Sequence, residues 1–357
     1  MAGVDIWECA LGFMDSQALL TAEELGVFDV LDAGPRTAGE VAEGTGLPQE
    51  SAERLLVALC ALRLVRKAPD GRYVNGPEAS EKLVRGKPGY AGAMFHHVRD
   101  VLYPAWNYCK EALQEGRAQW ELAFPGGPPP TEDQYSNPPA LRAFMEGMHT
   151  ITYAPAAEFA SRAEELREVR SVVDVGGASG AFLIALAEQF PELRGVVFDL
   201  PQVQPIAEDF IRRAGFSDRL RFQSGDFWND PLPEGADAYS MGFILHDWDR
   251  EGGSKLLRKI SEAAPEGALL ILGEYLLNDD KTGPLQVARQ SMNMLVTAQG
   301  MERSAPEYGE WIREFGFELE KIHLTSSAKN FMVARKVPVA ARRPRGRERT
   351  ARRSAVA

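Results

Sequence analysis

Residues 172–180 have the sequence VVDVGGASG, and the apolar segment AFLIALAEQF follows them at once. The β-branched residues before the glycines predict a buried strand, and the segment after them predicts an amphipathic helix. Glycine lets the backbone approach a ligand closely, and the first turn of a helix offers N–H groups that have no partner within the helix. The stretch therefore predicts a ligand-binding turn between a strand and a helix, although a purely structural tight turn has the same pattern.

Beyond this turn, apolar strands and helical segments alternate from residue 171 onward. The strands are SVVDVG, RGVVFDL, RLRFQSGD, ADAYSMGF and GALLILGE, and the helical segments include AFLIALAEQF and SKLLRKISEAA. This alternation predicts an α/β domain whose parallel sheet is covered on both faces. Open sheets of this kind bind ligands at the carboxyl ends of their strands.

Two strands after the glycine turn end in acidic residues. The strand VVFDLP contains Asp199, at about the spacing expected for a carboxylate that binds ribose hydroxyls. Gly225, Asp226 and Phe227 follow the next strand and place an acid and an aromatic ring where an adenine could lie. Dinucleotide, nucleotide and S-adenosylmethionine (SAM) sites all use a glycine turn, and the spacing to Asp199 alone does not separate NAD from SAM. The added Gly-Asp-Phe is much more typical of SAM.

A histidine follows the strand ADAYSMGFI in the sequence Leu-His-Asp-Trp (245–248). A lone histidine is more often structural than catalytic, but His246 lies at the carboxyl end of a strand beside the predicted cofactor site. Because the pKa of a phenol is about 10, few phenols are ionised at neutral pH, and histidine is a suitable general base. Glu274 at the end of the strand ALLILGE and Glu302 in GMERS could orient that base.

The N-terminal region has helical periodicity. Residues 10–31 carry apolar positions at helical spacing, with a break at Gly26. Thr37 and Glu40 form a capping-box pattern at the start of the next helix. A further helix is predicted at about residues 48–62.

Two short predicted strands follow, joined by the turn Asp70-Gly71. Helix, turn, helix and hairpin together predict a winged helix, a unit that often binds DNA. Here the recognition helix carries Glu50 and Glu53 against Arg54, which does not suit a helix that lies along phosphates. We therefore expect this unit to serve packing and dimerisation.

Composition narrows the class of protein further. The length of 357 residues favours two domains, and the net charge of −11 disfavours nucleic acid as a partner. Three isolated cysteines argue against a disulfide framework, and no apolar run reaches the roughly 20 residues of a membrane helix. The acidic N-terminus differs from a secretory signal, so we expect a cytoplasmic protein without a membrane partner. The basic segment 342–353 predicts a disordered tail.

The motifs VVDVGGASG, FDLP, SGDFW, LHDW, SMNMLV and GMERS occur in this order, after an N-terminal GFMDSQALLTAEELGVFDVL. Together they resemble the O-methyltransferases of the plant caffeate and isoflavone type and the animal acetylserotonin (hydroxyindole) type, with their bacterial natural-product relatives. The resemblance covers residues 11–335. It implies a Rossmann-like SAM methyltransferase domain with a mostly parallel sheet, an antiparallel last strand (FMVARK), and a preceding α-helical winged-helix dimerisation domain.

The resemblance also implies a homodimer and a division of residues 1–337 into three segments. These are a winged-helix dimerisation domain (1–110), a helical linker that contributes to the substrate pocket (111–165) and the SAM-binding domain (166–337). The basic tail (338–357) has no counterpart in the family. A Met and aromatic stripe in the predicted helix 141–151 is more often core than pocket, but the resemblance favours a pocket.

The site residues follow from the same resemblance. His246 is the base, with Glu274 and Glu302 beside it, and no metal is required. The residues expected to contact the cofactor are Asp174, Gly176, Gly177, Asp199, Leu200, Gly225, Asp226, Phe227 and Trp248. The residues expected to contact the substrate are Phe13, Met14, Phe144, Met148, Asp247, Met292 and Asn293, of which Phe13 and Met14 reach into the partner's pocket.

In two places the chain departs from the family pattern. Many members have a basic residue near the cofactor just upstream of the base, where this chain has Met241-Gly242-Phe243. In GMERS, Ser304 replaces a common threonine.

These features predict SAM-dependent methylation of a hydroxyl on a small aromatic or polyketide-like molecule. Transfer to carbon or nitrogen, or non-methylating SAM chemistry, is the main alternative. A winged-helix regulator that senses SAM is a weaker one, and an NAD-dependent oxidoreductase is suggested by the glycine turn alone.

Overall fold

This computed structural model describes residues 5–87, 89–127 and 135–338. They divide into two compact units, the first ending at Ile151 and the second beginning at Thr152. The boundaries expected at residues 110 and 165 stay predictions. The predicted tail lies outside the described residues except for its first position.

The first unit begins with the predicted helices and hairpin. In chain order these are α1 (Ile6–Glu24), α2 (Val27–Asp32), α3 (Ala38–Thr45), α4 (Gln49–Ala61), β1 (Val65–Lys67) and β2 (Tyr73–Asn75), the two strands being antiparallel. The predicted capping box starts α3: Glu40 donates its N–H to the Thr37 hydroxyl at 3.2 Å, and Thr37 donates its N–H to the Glu40 carboxylate at 2.7 Å. Gly26 separates α1 from α2 in a left-handed conformation.

Apolar faces of these elements form the core of the first unit. Its buried residues include Val27, Phe28, Leu31, Val41, Leu56, Leu59 and Tyr73. The outer part of α1 is different, because Trp7 is 76% exposed and Phe13 and Met14 are each 53% exposed. Several large apolar side chains exposed on one helix are typical of a protein–protein contact surface.

The rest of the first unit is also helical. Its helices are α5 (Pro77–Lys82), α6 (Gly92–His97), α7 (Tyr103–Trp106), α8 (Cys109–Glu115), α9 (Trp120–Ala123) and the long α10 (Pro138–Ala160), which continues into the second unit. Residues 92–106 form one continuous helical stretch that contains a π-helical turn, Val98–Leu102, just before Pro104, which has no N–H to donate.

The second unit contains an eight-stranded mixed sheet. Its strands are β3 (Ser171–Val175), β4 (Arg194–Asp199), β5 (Leu220–Ser224), β6 (Ala238–Gly242), β7 (Leu269–Leu277), β8 (Arg303–Ser304), β9 (Phe317–His323) and β10 (Lys329–Lys336). Their order is β5-β4-β3-β6-β7-β10-β9, and β8 pairs with β7. The five strands β3 to β7 are parallel to one another, and β10 is antiparallel to β7, as predicted.

Helices cover both faces of this sheet. They are α11 (Ala181–Gln189), α12 (Gln204–Arg213), α13 (Arg250–Ala263), α14 (Leu285–Thr297) and α15 (Ala305–Arg313). Leu257 of α13 and Trp311 of α15 belong to one buried cluster, and the stacked rings of Phe159 and Phe331 lie 4.5 Å apart. The described helices include none that is long and apolar enough to cross a membrane.

Three features of the sheet differ from the sequence-based predictions. β7 does not end at Glu274 but continues to Leu277, because β10 pairs with it as far as Tyr275 and β8 pairs with Leu276 and Leu277. The two-residue strand β8 was not predicted. β9 was not predicted, since the charged residues of FELEKIH point to solvent from an edge strand and weaken its apolar pattern.

Candidate active site

The glycine turn joins β3 to α11 and approaches its neighbours closely. Gly176 has a left-handed φ of 70°, and a Cβ there would lie 2.5 Å from Cδ1 of Ile244. A Cβ at Gly177 would lie 2.7 Å from Oδ2 of Asp174. Gly180 caps α11 with a φ of 76°. Any side chain at Gly176 or Gly177 would therefore collide with Ile244 or Asp174, so the turn requires glycine at both positions.

Asp199 is the last residue of β4 and holds this turn in place. Its Oδ2 accepts the N–H of Ala178 at 2.8 Å, and its Oδ1 accepts the N–H of Leu200 at 2.7 Å. Burial raises the pKa of Asp199 to about 6, although the two N–H donors act in the opposite direction. Each oxygen keeps further acceptor capacity, so the carboxylate can bind hydroxyls while it supports the turn.

Asp226 has a local structural role. Its Oδ1 accepts the N–H of Trp228 at 2.8 Å, and its Oδ2 accepts the side-chain amide of Asn229 at 2.6 Å. A glycine is needed just before it, because a Cβ at Gly225 would lie 2.3 Å from the ring of Phe198. The expected contact of Gly225 and Asp226 with an adenine stays a prediction.

Three aromatic rings lie together beside this turn. The rings of Trp228 and Trp248 meet edge to face at 4.6 Å, and Phe227 contacts Trp228 at 5.0 Å and Trp248 at 6.4 Å. Phe227 and Trp248 were predicted from the sequence, and Trp228 was not. Trp228 directly follows Phe227 in SGDFW, and this pair of adjacent aromatic residues could have indicated it.

His246 follows β6 in a single 3₁₀ turn, Leu245–Asp247, and is 5% exposed. Its Nδ1 lies 2.8 Å from Oε1 of Glu302 and 3.8 Å from Oε2 of Glu274. Its Nε2 lies 3.4 Å from Oδ1 of Asp247. The structure therefore brings the three predicted catalytic residues together, although they come from a turn, a strand and a loop.

The two buried glutamates have different partners. Glu274 uses Oε1 to accept the N–H groups of Ile244 at 3.3 Å and Leu245 at 3.0 Å, so it holds the turn that carries His246. Glu302 uses Oε1 for the imidazole. Within the described residues, Oε2 of each glutamate is buried and has no hydrogen-bond partner. Burial raises the pKa of Glu274 to about 7.

The same carboxylates determine the basicity of the histidine. Burial alone would lower the pKa of His246, but the charges of Asp247, Glu274 and Glu302 outweigh burial and raise the pKa to about 10. A proton on the imidazole is therefore strongly stabilised.

The same three side chains also satisfy a geometric condition for metal binding. One ligand atom each from His246, Glu274 and Glu302 lie within 4.8 Å of one another. The sequence shows no cluster with metal-ligand spacing, because the three residues are distant in the chain and meet only in the fold.

Three further residues shape the site and were not selected from the sequence. The ring of Phe243 stacks on His246 at 5.3 Å, and Phe243 has a left-handed φ of 57°. A Cβ at Gly300 would lie 2.0 Å from the carbonyl oxygen of His246, so only glycine allows this approach. Arg303 donates to the carbonyl of Met301 at 3.0 Å and to that of Leu245 at 3.5 Å.

The predicted substrate residues are found in both units. Asp247 is adjacent to His246, and Met292 and Asn293 lie on α14, where Asn293 is buried. Phe144 belongs to the first unit, where its ring lies 5.8 Å from that of His97. Met148 lies one turn further along α10, and Phe13 and Met14 lie on α1. Their contacts with a substrate stay predictions.

A glycine turn, an acidic strand end and a buried histidine at one edge of a mixed sheet define a methyltransferase-type fold and site. Residues 106–318 match the O-methyltransferase domain family, and residues 7–85 match the O-methyltransferase dimerisation domain. The chain belongs to the O-methyltransferase family. The family, fold and enzyme class predicted from the sequence are thereby confirmed.

Individual relatives are similar over nearly the whole chain. A 3-hydroxy-5-methyl-1-naphthoate 3-O-methyltransferase of Streptomyces sahachiroi is 36% identical over 328 residues, which are 92% of this chain and 93% of the relative. An N,N-dimethyltransferase of Streptomyces rimosus, OxyT, is 37% identical over 310 residues, with 87% and 89% of the two chains covered. The human N-acetylserotonin methyltransferase, solved in complex with SAM, has a TM-score of 0.84 and 30% identity, with 95% and 100% covered.

Proposed function

We propose that this protein transfers a methyl group from SAM to a hydroxyl of a small aromatic or polyketide-like molecule, with His246 as the general base. One observation carries the proposal. A buried imidazole, hydrogen-bonded through Nδ1 to Glu302, follows β6 at the sheet edge where the glycine turn follows β3. β3 and β6 are neighbours in the sheet, so the base and the cofactor turn lie side by side.

The residues present suit SAM. Gly176 and Gly177 form a turn without side chains that packs directly on Ile244 and Asp174, and the carboxylate of Asp199 keeps acceptor capacity for ribose hydroxyls. Carboxylates also outnumber cationic side chains around the site, which favours a ligand with a positively charged sulfonium. The carboxylates are Asp174, Asp199, Asp247, Glu274 and Glu302, and the cations are His246, Arg303 and Lys329.

When bound, SAM supplies an activated methyl group on a sulfonium. His246 acts on the acceptor. In its neutral form the imidazole donates Nδ1–H to Glu302, which leaves Nε2 as the proton acceptor. Nε2 removes the hydroxyl proton as the oxygen attacks, and Glu302 and Glu274 stabilise the imidazolium that forms. Most of the remaining acceleration comes from holding the oxygen in line with the methyl group.

The class of acceptor rests on chemistry and relatives. The neighbouring carboxylates raise the pKa of His246 above its usual value, which makes the imidazole a stronger base and suits it to removing the proton of a phenol. The Streptomyces sahachiroi relative is named for the methylation of a hydroxynaphthoate. Phe144, Met148, Met292 and Asn293 are the proposed lining of the acceptor pocket.

Assembly and location are also part of the proposal. The match of residues 7–85 to the dimerisation domain and the exposed apolar side chains of α1 support a homodimer. In that dimer, Phe13 and Met14 would reach into the partner's pocket. A cytoplasmic location is proposed from the cysteine usage alone.

Transfer to nitrogen is the second candidate, and the relative OxyT, named as an N,N-dimethyltransferase, supports it. An amine needs a base less than a phenol does, because a neutral amine is already nucleophilic. The buried His246 with two glutamates therefore favours the hydroxyl acceptor.

The first test is calorimetric titration with SAM, S-adenosylhomocysteine (SAH) and, as a control, NAD. Binding of SAM and SAH without NAD is expected. A panel of hydroxylated aromatics and matched anilines is then incubated with SAM, and the products are identified by mass and by NMR of the methyl position. O-methylated products are expected; N- or C-methylation alone, or the absence of SAM binding, would overturn the proposal.

A further inference from the structure

Lys329, the first residue of β10, is buried and is 2% exposed. A lysine is almost never fully buried without a charged partner. Burial lowers the pKa of Lys329 to about 8, and the charges of Glu274 and Asp174 offset part of that effect. The ammonium therefore lies in the interior below the site, not on the surface.

Two glycines make room for this side chain. Gly242 and Gly273 are paired in the neighbouring strands β6 and β7. A Cβ at Gly242 would lie 3.0 Å from Nζ of Lys329, and a Cβ at Gly273 would lie 3.1 Å from its Cε. The long side chain thus extends across the strand ends to Gly242.

The hydrogen-bonding capacity of the ammonium is only partly used. Nζ donates to the hydroxyl of Thr152 at 3.2 Å and lies 3.8 Å from the centre of the Phe243 ring. An ammonium has three donors, and in the described part of the chain Thr152 is the one hydrogen-bond acceptor that Nζ reaches. Among the described residues, no carboxylate lies close enough to Nζ of Lys329 to form an ion pair. A buried cation with open donors is costly unless a ligand supplies the missing acceptor.

The surroundings identify the chemistry of that acceptor. Asp174 lies under the glycine turn and accepts the hydroxyl hydrogen of Ser240 at 2.7 Å. A cation and an anion at adjacent strand ends suit a zwitterion that carries both charges on one carbon. We propose that Lys329 binds the α-carboxylate of the amino-acid portion of SAM, an inference that rests on the function proposed above.

The start of α11 is the competing place for this carboxylate, because the N-terminus of a helix binds anions. Two amides of the turn before α11 are already engaged. Ala178 donates to Asp199 at 2.8 Å, and Gly180 donates to the carbonyl of Gly177 at 2.8 Å. Lys329 offers a full charge and unused donors, so it is the stronger partner.

The test is a cycle of two ligands and two proteins, read by calorimetry with the full chain. SAH is compared with S-adenosyl-3-thiopropylamine, which lacks only the α-carboxylate, on the wild type and on Lys329→Met. We expect the wild type to prefer SAH by about 30-fold, and the variant to lose at least about tenfold of that preference. Affinity for the decarboxylated ligand should change less than threefold, because the contact at issue is absent from it.

Lys336→Met is the matched control, since Lys336 lies at the far end of β10 and donates to the carbonyl of Ala264 at 2.5 Å. It should keep the full preference for SAH. Lys329→Gln replaces Lys329→Met if the latter fails to unfold cooperatively. Equal losses for both ligands, or a wild type without preference, would overturn the role of Lys329 and leave the proposed function intact. A wild type that binds neither ligand would overturn both.

Discussion

Asp199 and Glu302 are both buried carboxylates of the second unit, yet the two differ in how many of their oxygens accept hydrogen bonds. Asp199 has both oxygens hydrogen-bonded to backbone N–H groups, those of Ala178 and Leu200. Glu302 has one oxygen on His246, and its other oxygen has no partner within the described residues. The contrast separates the cofactor end of the site from the base end.

The difference follows from what each end has to do. At the cofactor end, backbone donors hold the carboxylate and the turn rigid, so the ligand meets a preorganised surface. At the base end, buried negative charge exceeds the hydrogen bonds available to it. That excess stabilises a proton that reaches His246 during the reaction. Backbone donors therefore fix both oxygens of Asp199 at the cofactor end, whereas at the base end one oxygen each of Glu274 and Glu302 has no hydrogen-bond partner within the described residues.

Removal of the base should have the largest effect. His246→Ala is expected to reduce methyl transfer by roughly 100-fold or more, the scale of general-base catalysis, because the variant lacks the proposed base. SAH affinity should stay within threefold, since the cofactor end is independent of the imidazole. The measurement is single-turnover product formation together with calorimetry.

His323→Ala is the matched control for this change, as His323 is also buried and bonded to a glutamate, Glu165, but lies on β9. It should retain turnover. If His246→Ala catalysed methyl transfer at the wild-type rate, His246 would not be the base, and the distinction between a cofactor end and a base end would be wrong.

The next effect concerns the cofactor end. Asp199→Asn should weaken SAH binding by roughly 10- to 100-fold, because the amide loses the charge and presents donors toward the N–H groups of Ala178 or Leu200. The maximal rate at saturating SAM should fall much less. Asp237→Asn is the control, since Asp237 also accepts two backbone N–H groups, at the opposite edge of the sheet. Unchanged SAH affinity in Asp199→Asn would contradict the ribose role.

A smaller effect on rate but a shift in pH dependence is expected for Glu302→Gln. The base must be neutral, and its pKa is raised to about 10, so wild-type kcat/KM should rise with pH from 6 to 9. Removing the charge of Glu302 lowers the pKa of His246, which moves the rising limb to lower pH. The rate at pH 9 should fall roughly tenfold, with a smaller loss at pH 6. A profile parallel to that of the wild type would show that Glu302 does not act through the imidazole.

The smallest effect should come from Ser240→Ala, between the two ends. It removes the 2.7 Å hydrogen bond to Asp174, which is worth about 1.5–3 kcal/mol of the free energy of unfolding for a charged acceptor. The melting temperature should fall by roughly 2–6 °C, measured by circular dichroism. SAH affinity should change less than threefold. A large loss of affinity without a change in melting temperature would place Ser240 in the cofactor site itself.

Much of this site could be predicted from local sequence. The glycine turn, Asp199 and the capping box at Thr37 depend on neighbours within a few residues, so their patterns are visible in one short segment. The edge strand β9 and the full length of β7 were missed. Their extents depend on pairing with β10, which no local pattern records.

By itself, the sequence determined the order of elements, the chemical type of each site residue and, through its ordered motifs, the O-methyltransferase family. Those properties are carried by periodicity and by residue identity, which folding does not alter. Only the tertiary structure decided which groups share one environment. Sheet pairing brings Glu302 to His246, although the two residues are 56 positions apart in the chain, and it brings Lys329 close to Gly242. Burial then determines the protonation of these groups. Protonation is a property of that shared environment, so it is not encoded in any single segment.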